Sequence, residues 1–123
     1  YKLGDEEWEI VWQLTGALLV FKDTTLFFSW STPSLPMAIP AMDFIDGKLA
    51  TFALDPEYDV SIFTALSLAK RTMNRYYDKT DHSEVYCIAI ILHTWHKLVY
   101  FKKAGWQAMW ITTVEQIFHN EFK

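Results

Sequence analysis

Cysteine, glycine and proline are all scarce in this chain, and each scarcity closes off a class of function. The single cysteine, Cys87, rules out a disulfide framework and any metal site built on cysteine pairs. A reducing interior is then the default compartment. Four glycines, none near another, leave no glycine-rich loop to cradle a phosphate. Three of the four prolines fall between Ser31 and Pro40, so the strong chain breaks are confined to one stretch and to Pro56. The longest apolar runs, such as Ile88 to Leu92, fall far short of the roughly 20 residues that span a bilayer. The amino end YKLGDEEWE has no signal-peptide layout, and the chain is expected to be soluble, intracellular and without membrane contact. Positive charge is also in deficit, with 11 Lys and Arg against 15 Asp and Glu and a net charge of -4. A surface that grips DNA everywhere is excluded, because counterion release needs several clustered cations. Any contact with nucleic acid must be local.

Apolar and aromatic residues supply the bulk. The chain is 51% hydrophobic and 17% aromatic, with six Trp and nine Phe, which excludes a disordered segment. At 123 residues it fits one domain, residues 1–123, able to bury about two-thirds of its unfolded surface. Rings spread along every segment mean either a dense core or a surface meant for a partner. The first residue is Tyr1 rather than Met, as expected of a piece of a longer polypeptide.

Periodicity predicts helices throughout. From Asp5 to about Ser29 one stripe holds Trp8, Val11, Trp12, Thr15, Leu18 and Leu19, and another holds Ile10, Leu14, Ala17 and Phe21, which reads as a helix buried on two sides. Asp5, Glu6 and Glu7 sit at the positive end of its dipole. Ser31 to Pro40 is a break; Ser34 is placed to cap a second helix, which Pro40 should delay, leaving it clean from about Ala41 to Phe52. Asp55-Pro56-Glu57 reads as the start of a third helix, with a seam of Ile62, Leu66, Ala69, Met73 and Tyr76 running to about Asp78. Asp81 with Glu84 forms a capping-box pattern for a fourth, whose inward face should be Val85, Ile88, Ala89 and Leu92. After His93 the pattern restarts with Trp95, Leu98 and Phe101, and Lys102-Lys103-Ala104-Gly105 reads as a basic last turn and a glycine stop. Trp106, Met109, Trp110, Thr113 and Ile117 line one face of a last helix reaching about Phe122. Strand-type alternation is never sustained, and no repeat appears. The expectation is an all-α chain of about six helices in an antiparallel, bundle-like array.

Reactive groupings are sparse. Asp43 and Asp46 share a helix face, yet with no third ligand or adjacent base they read as an exposed polar face. Glu57 and Asp59 read as dipole compensation in a first turn. His93 and His96 have i,i+3 spacing, but the further zinc ligands would have to come from His82, His119 or Cys87, none at recognisable spacing, so they read as surface or capping histidines. No Gly-x-Ser-x-Gly elbow is present, and Cys87 reads as buried and inert. No catalytic residue, metal site or cofactor is expected. The most usable charge pattern is Arg71, Arg75 and Lys79, four residues apart, with Lys70 beside them. Lys97, Lys102 and Lys103 form a second group. Together they could meet about two to four phosphates and so position DNA without reading it; otherwise they are a solvated helix face.

The run Phe21-Lys22-Asp23-Thr24-Thr25-Leu26-Phe27-Phe28-Ser29, then Ser31-Thr32-Pro33 and Ile39-Pro40-Ala41-Met42-Asp43, resembles the helical part of hAT-superfamily transposases, notably the fungal ones. So do Tyr76-Tyr77, Glu84-Val85-Tyr86, Ile88-Ala89, Ile91-Leu92-His93, Lys97-Leu98, Tyr100-Phe101 and Gly105-Trp106, which look like the stretch before the family's carboxy-terminal dimerisation region. Where relatives carry Pro-Arg, this chain has Thr94-Trp95. The resemblance implies an RNase H-like transposase that cuts and rejoins DNA with two aspartates and a glutamate holding metal ions, all outside this helical stretch. A family tryptophan that stacks near a flipped base matches none of Trp8, Trp12, Trp30, Trp95, Trp106 or Trp110. The expected role is therefore a non-catalytic helical scaffold in the nucleus. Its expected partners are DNA, the rest of the transposase chain and further copies of itself. The other expectation is a free-standing helical protein-interaction domain that never meets DNA.

Overall fold

The computed structural model describes residues 2–30, 34–93 and 96–123, with the side chains of all but Trp30 and Asp81. Among the described residues the chain is all-α. The helices are α1 Asp5–Trp30, α2 Ala38–Ala53, α3 Val60–Asp81, α4 Glu84–Leu92, α5 Lys97–Lys103 and α6 Ala108–Glu121, with a 3₁₀ turn over Leu35–Met37. Two compact units divide the chain: Tyr1–Pro33 with Ala41–Tyr76, and Ser34–Pro40 with Tyr77–Lys123. The Ser31 to Pro33 part of the expected break, Thr94-Trp95 and the side chain of Trp30 lie outside the described residues.

In the first unit, α1 starts where Glu7 Oε2 accepts the Gly4 N–H at 2.8 Å, a side chain reaching back to an otherwise unpaired donor. With no proline to stop it, the helix continues for 26 residues. Its buried face is Gln13, Ala17 and Val20, with Ile10 and Phe21 partly covered. The expectation of burial on two sides fails: Trp8, Val11, Trp12, Leu14, Leu18 and Leu19 are all exposed. Only one side of α1 meets the core of its unit, where Ala17 joins Leu49, Ile62 and Leu66. The α3 seam holds at Ile62, Leu66 and Ala69, whereas Tyr76 is exposed.

Two expected helix starts move. Helix α2 begins at Ala38, running on from the 3₁₀ turn, because Pro40 falls in the first turn, where its missing N–H would have found no helical partner anyway. Ser34 stands before the 3₁₀ turn in extended conformation without a side-chain cap bond. Helix α3 begins at Val60 rather than at Pro56. Asp55 Oδ1 accepts the Glu57 N–H at 3.0 Å and closes a turn, and Asp59 is the residue that caps, taking the Ser61 N–H at 2.8 Å and the Ser61 hydroxyl at 2.5 Å. Buried Gln13 fixes this turn from α1. Its Oε1 accepts the Asp59 N–H at 2.8 Å, and its Nε2 donates to the Glu57 carbonyl at 3.1 Å and to Glu9 Oε1 at 3.4 Å. Those bonds commit residues 57–59 to a turn.

The second unit packs Ile39, Cys87, Ile90, Phe101 and Val114 together, with Tyr77, Tyr86, Ile91, Leu98 and Trp106 around them. Helix α4 lies against the 3₁₀ turn, α5 and α6. Helix α3 extends through Asp81; the residue before α4 is Ser83, which makes no side-chain cap bond, and the side chain of Asp81, expected to cap, lies outside the described residues. The inward face of α4 carries Cys87 and Ile90, while Val85 and Leu92 are exposed. In a helix that is apolar on every side, periodicity defines no face, and the neighbours choose one. Helix α6 buries Val114 and leaves Met109, Trp110 and Thr113 of its expected inward face exposed. The glycine stop is as read. Gly105 adopts φ 77, and its N–H meets the Lys102 carbonyl at 3.3 Å while the Trp106 N–H meets the Phe101 carbonyl at 3.0 Å. These are the two bonds of a Schellman cap, and the Trp106 ring packs on Phe101 with centroids 4.8 Å apart.

Candidate functional site

The basic row on α3 is real as a row. Arg71, Arg75 and Lys79 are exposed at four-residue spacing on one continuous helix, which sets successive side chains about 6 Å apart along its axis. The seam at Ile62 and Leu66 faces the core of its unit, so the charged residues are left to the solvent side. Among the described residues neither Arg71 nor Arg75 enters an ion pair. Lys70 is placed differently. Its Nζ stands 3.3 Å from Asp46 Oδ1, off the axis of a directed hydrogen bond since that oxygen has no hydrogen-bond partner, and the pair holds α3 to α2. Asp46, expected on an exposed polar face, is thus half-buried and paired.

Lys97, Lys102 and Lys103 are exposed on α5 in the second unit. Lys102 and Lys103 occupy its last turn, where they also offset the negative end of the helix dipole. Lys97 takes φ 49, a left-handed conformation that disfavours any residue with a Cβ. The N–H groups of His96 and Lys97 both point at the His93 carbonyl, at 3.2 and 3.3 Å. The His93 and His96 rings lie 4.7 Å apart between centroids. His96 Nε2 lies 3.4 Å from Met37 Sδ, and its ring stands edge-on to Tyr100. Burial, and then the neighbouring His93, push the His96 pKa down, which favours the neutral ring.

Other reactive side chains stay apart. Cys87 is buried; His82 Nδ1 contacts the Asp78 carbonyl at 2.7 Å; His119 stacks edge-on with Phe118. No group of three or more His, Cys, Asp and Glu among the described residues is arranged to hold a metal ion. Among the described residues no helix is long and apolar enough to cross a membrane.

Two features escaped the sequence reading. Gln13 sits one residue beyond the aromatic stripe of α1 and carries no motif, so nothing local marks it as the buried polar anchor of a turn 44 residues away. The solvent-facing row of large apolar side chains on α1 reads in the sequence as core. No family model, no curated protein and no solved structure matches the chain.

Proposed function

We propose that this chain is a non-catalytic helical scaffold of a hAT-like DNA transposase, working in the nucleus and touching the DNA backbone locally. The observation that carries the reading is the exposed row of Arg71, Arg75 and Lys79 on α3, whose two arginines are not consumed by carboxylates. Lys97, Lys102 and Lys103 add a second exposed group. Guanidinium groups one turn apart can each take a phosphate, which orients a duplex and reads no base. No residue of this chain is assigned to bond cleavage. Such a scaffold serves by packing against the remainder of the transposase and by holding charge near the DNA.

Binding to a DNA hairpin, measured by fluorescence anisotropy across a salt series, tests the proposal. Each neutralised phosphate contributes a slope of about -0.9 in log K against log salt, so Arg71→Glu with Arg75→Glu should weaken binding and flatten the slope by about 2. Binding that ignores both salt and these substitutions would overturn it. A second reading, a helical protein-interaction domain without DNA contact, is favoured by the exposed Trp8 and Trp12 on α1. Absence of any hairpin binding at low salt decides for that alternative.

A further inference from the structure

Helix α1 turns an unbroken row to solvent. Trp8, Trp12, Thr15, Leu19, Lys22 and Leu26 follow one another at spacings of four, three, four, three and four, and every one is exposed. That is the 3.5-residue repeat of a seam meant for another helix. Trp8 is 57% exposed and Trp12 72%. Since a large ring presents roughly 150–250 Å², the row and the leucines flanking it offer on the order of 700 Å² per copy, close to the roughly 800 Å² that each partner gives to a standard interface.

We propose that this row is the interface of an antiparallel homodimer, α1 of one copy lying on α1 of a second about a twofold axis at the level of residue 17. In that register Trp8 meets the second copy's Leu26, Trp12 meets its Lys22, and Thr15 meets its Leu19. Each layer then sets a bulky side chain against a slimmer one. A parallel pair would instead stack Trp8 on Trp8, Trp12 on Trp12 and Lys22 on Lys22, and would crowd Asp5, Glu6, Glu7 and Glu9 of both copies at one end. Antiparallel pairing moves those acids to opposite ends and aligns the helix dipoles favourably. It also brings the only cation of the row onto an indole face, an attractive contact, and a single charged seam residue is a known device for fixing register. Desolvating the row leaves no unmet hydroxyl, because Thr15 Oγ1 already donates to the Val11 carbonyl at 2.8 Å. The interface goes beyond the DNA reading, since Arg71 and Arg75 take no part in it.

Sedimentation velocity of the full chain over a concentration series provides the test. The wild type should pass from monomer to dimer. Trp12→Lys, at an exposed position that leaves the helix content unchanged by circular dichroism, should raise the dissociation constant at least about 30-fold, the size of losing a tryptophan anchor. Adding Lys22→Glu to Trp12→Lys should recover most of that loss, because the register pairs 12 with 22. A chain monomeric at every concentration would overturn the proposal and leave the row to a different protein or to another segment of the same polypeptide. A dimer indifferent to Trp12→Lys, or one that Lys22→Glu fails to restore, would overturn it equally.

Discussion

Replacing Gln13 by leucine removes two bonds that tie α1 to a turn 44 and 46 residues away, at almost unchanged volume. Gln13 is only 4% exposed, so the cost comes from polar groups rather than from a cavity. Each lost bond is worth about 1 kcal/mol net, and the Asp59 N–H and Glu57 carbonyl lose their protein partners, so the expected destabilisation of the first unit is about 2 kcal/mol. Urea denaturation followed at 222 nm should show a lower midpoint at unchanged slope. Exchange of the Asp59 amide should quicken by about 30-fold, the factor that 2 kcal/mol corresponds to. Gln13→Glu sharpens the argument. It keeps an acceptor for the Asp59 N–H but sets a second carboxylate oxygen against the Glu57 carbonyl and near Glu9, which raises the pKa of the new acid in the folded state. A raised folded pKa means that the protonated form is favoured, so this variant's deficit should shrink below the unfolded carboxylate value of about 4.3 and grow as pH rises through the folded value. A Gln13→Leu protein with wild-type stability and unchanged Asp59 protection would refute the claim that this side chain sets the turn.

The remaining expectations are local. Lys97→Gly relieves a left-handed residue at φ 49 and should stabilise the second unit by up to about 1 kcal/mol, while Gly105→Ala, at φ 77 with open space around the Cβ position, should cost about 1 kcal/mol through backbone strain alone; paired urea curves measure both, and equal signs would contradict the assignment. The Ser61 hydroxyl, and then its N–H, hold the Asp59 carboxyl below its ordinary value of 3.8. Its capping contribution is therefore complete above 3.8 and is lost as pH falls through the lower folded value. A carboxyl titration by NMR that shows an ordinary midpoint for Asp59, or one unmoved by Ser61→Ala, would remove that account.

Helix content, the stop at Gly105 and the α3 seam were legible because each is set by neighbours in the chain. Gly105 ends α5 through a conformation that glycine alone adopts without strain, and Ile62 and Leu66 fall on one face of a helix whose other face is charged. The basic row of Arg71, Arg75 and Lys79 was legible for the same reason, since spacing alone places those residues on one side. Lys70 was not separable from them, because its Asp46 partner is on a different helix.

Local signals also misplaced some boundaries. Asp55-Pro56 carries every mark of a helix start, yet the helix starts at Val60 because Gln13, distant in sequence, binds the backbone between the two points. Where a helix is apolar all round, as α4 is, the chain leaves its inward face open, and contact with the 3₁₀ turn, α5 and α6 selects Cys87 and Ile90 over Val85 and Leu92. Helix α1 follows the same logic with a larger consequence. Its sequence guarantees a long helix with two apolar stripes, but the surroundings in its own unit cover one side only. The amino-acid order thus determined the helices, the stop at Gly105 and the charged row, all products of short-range hydrogen bonding and 3.6-residue geometry. Which apolar faces are buried, which lysine is paired and which tryptophans stay in water was decided by tertiary packing, because burial depends on what another segment brings to the contact.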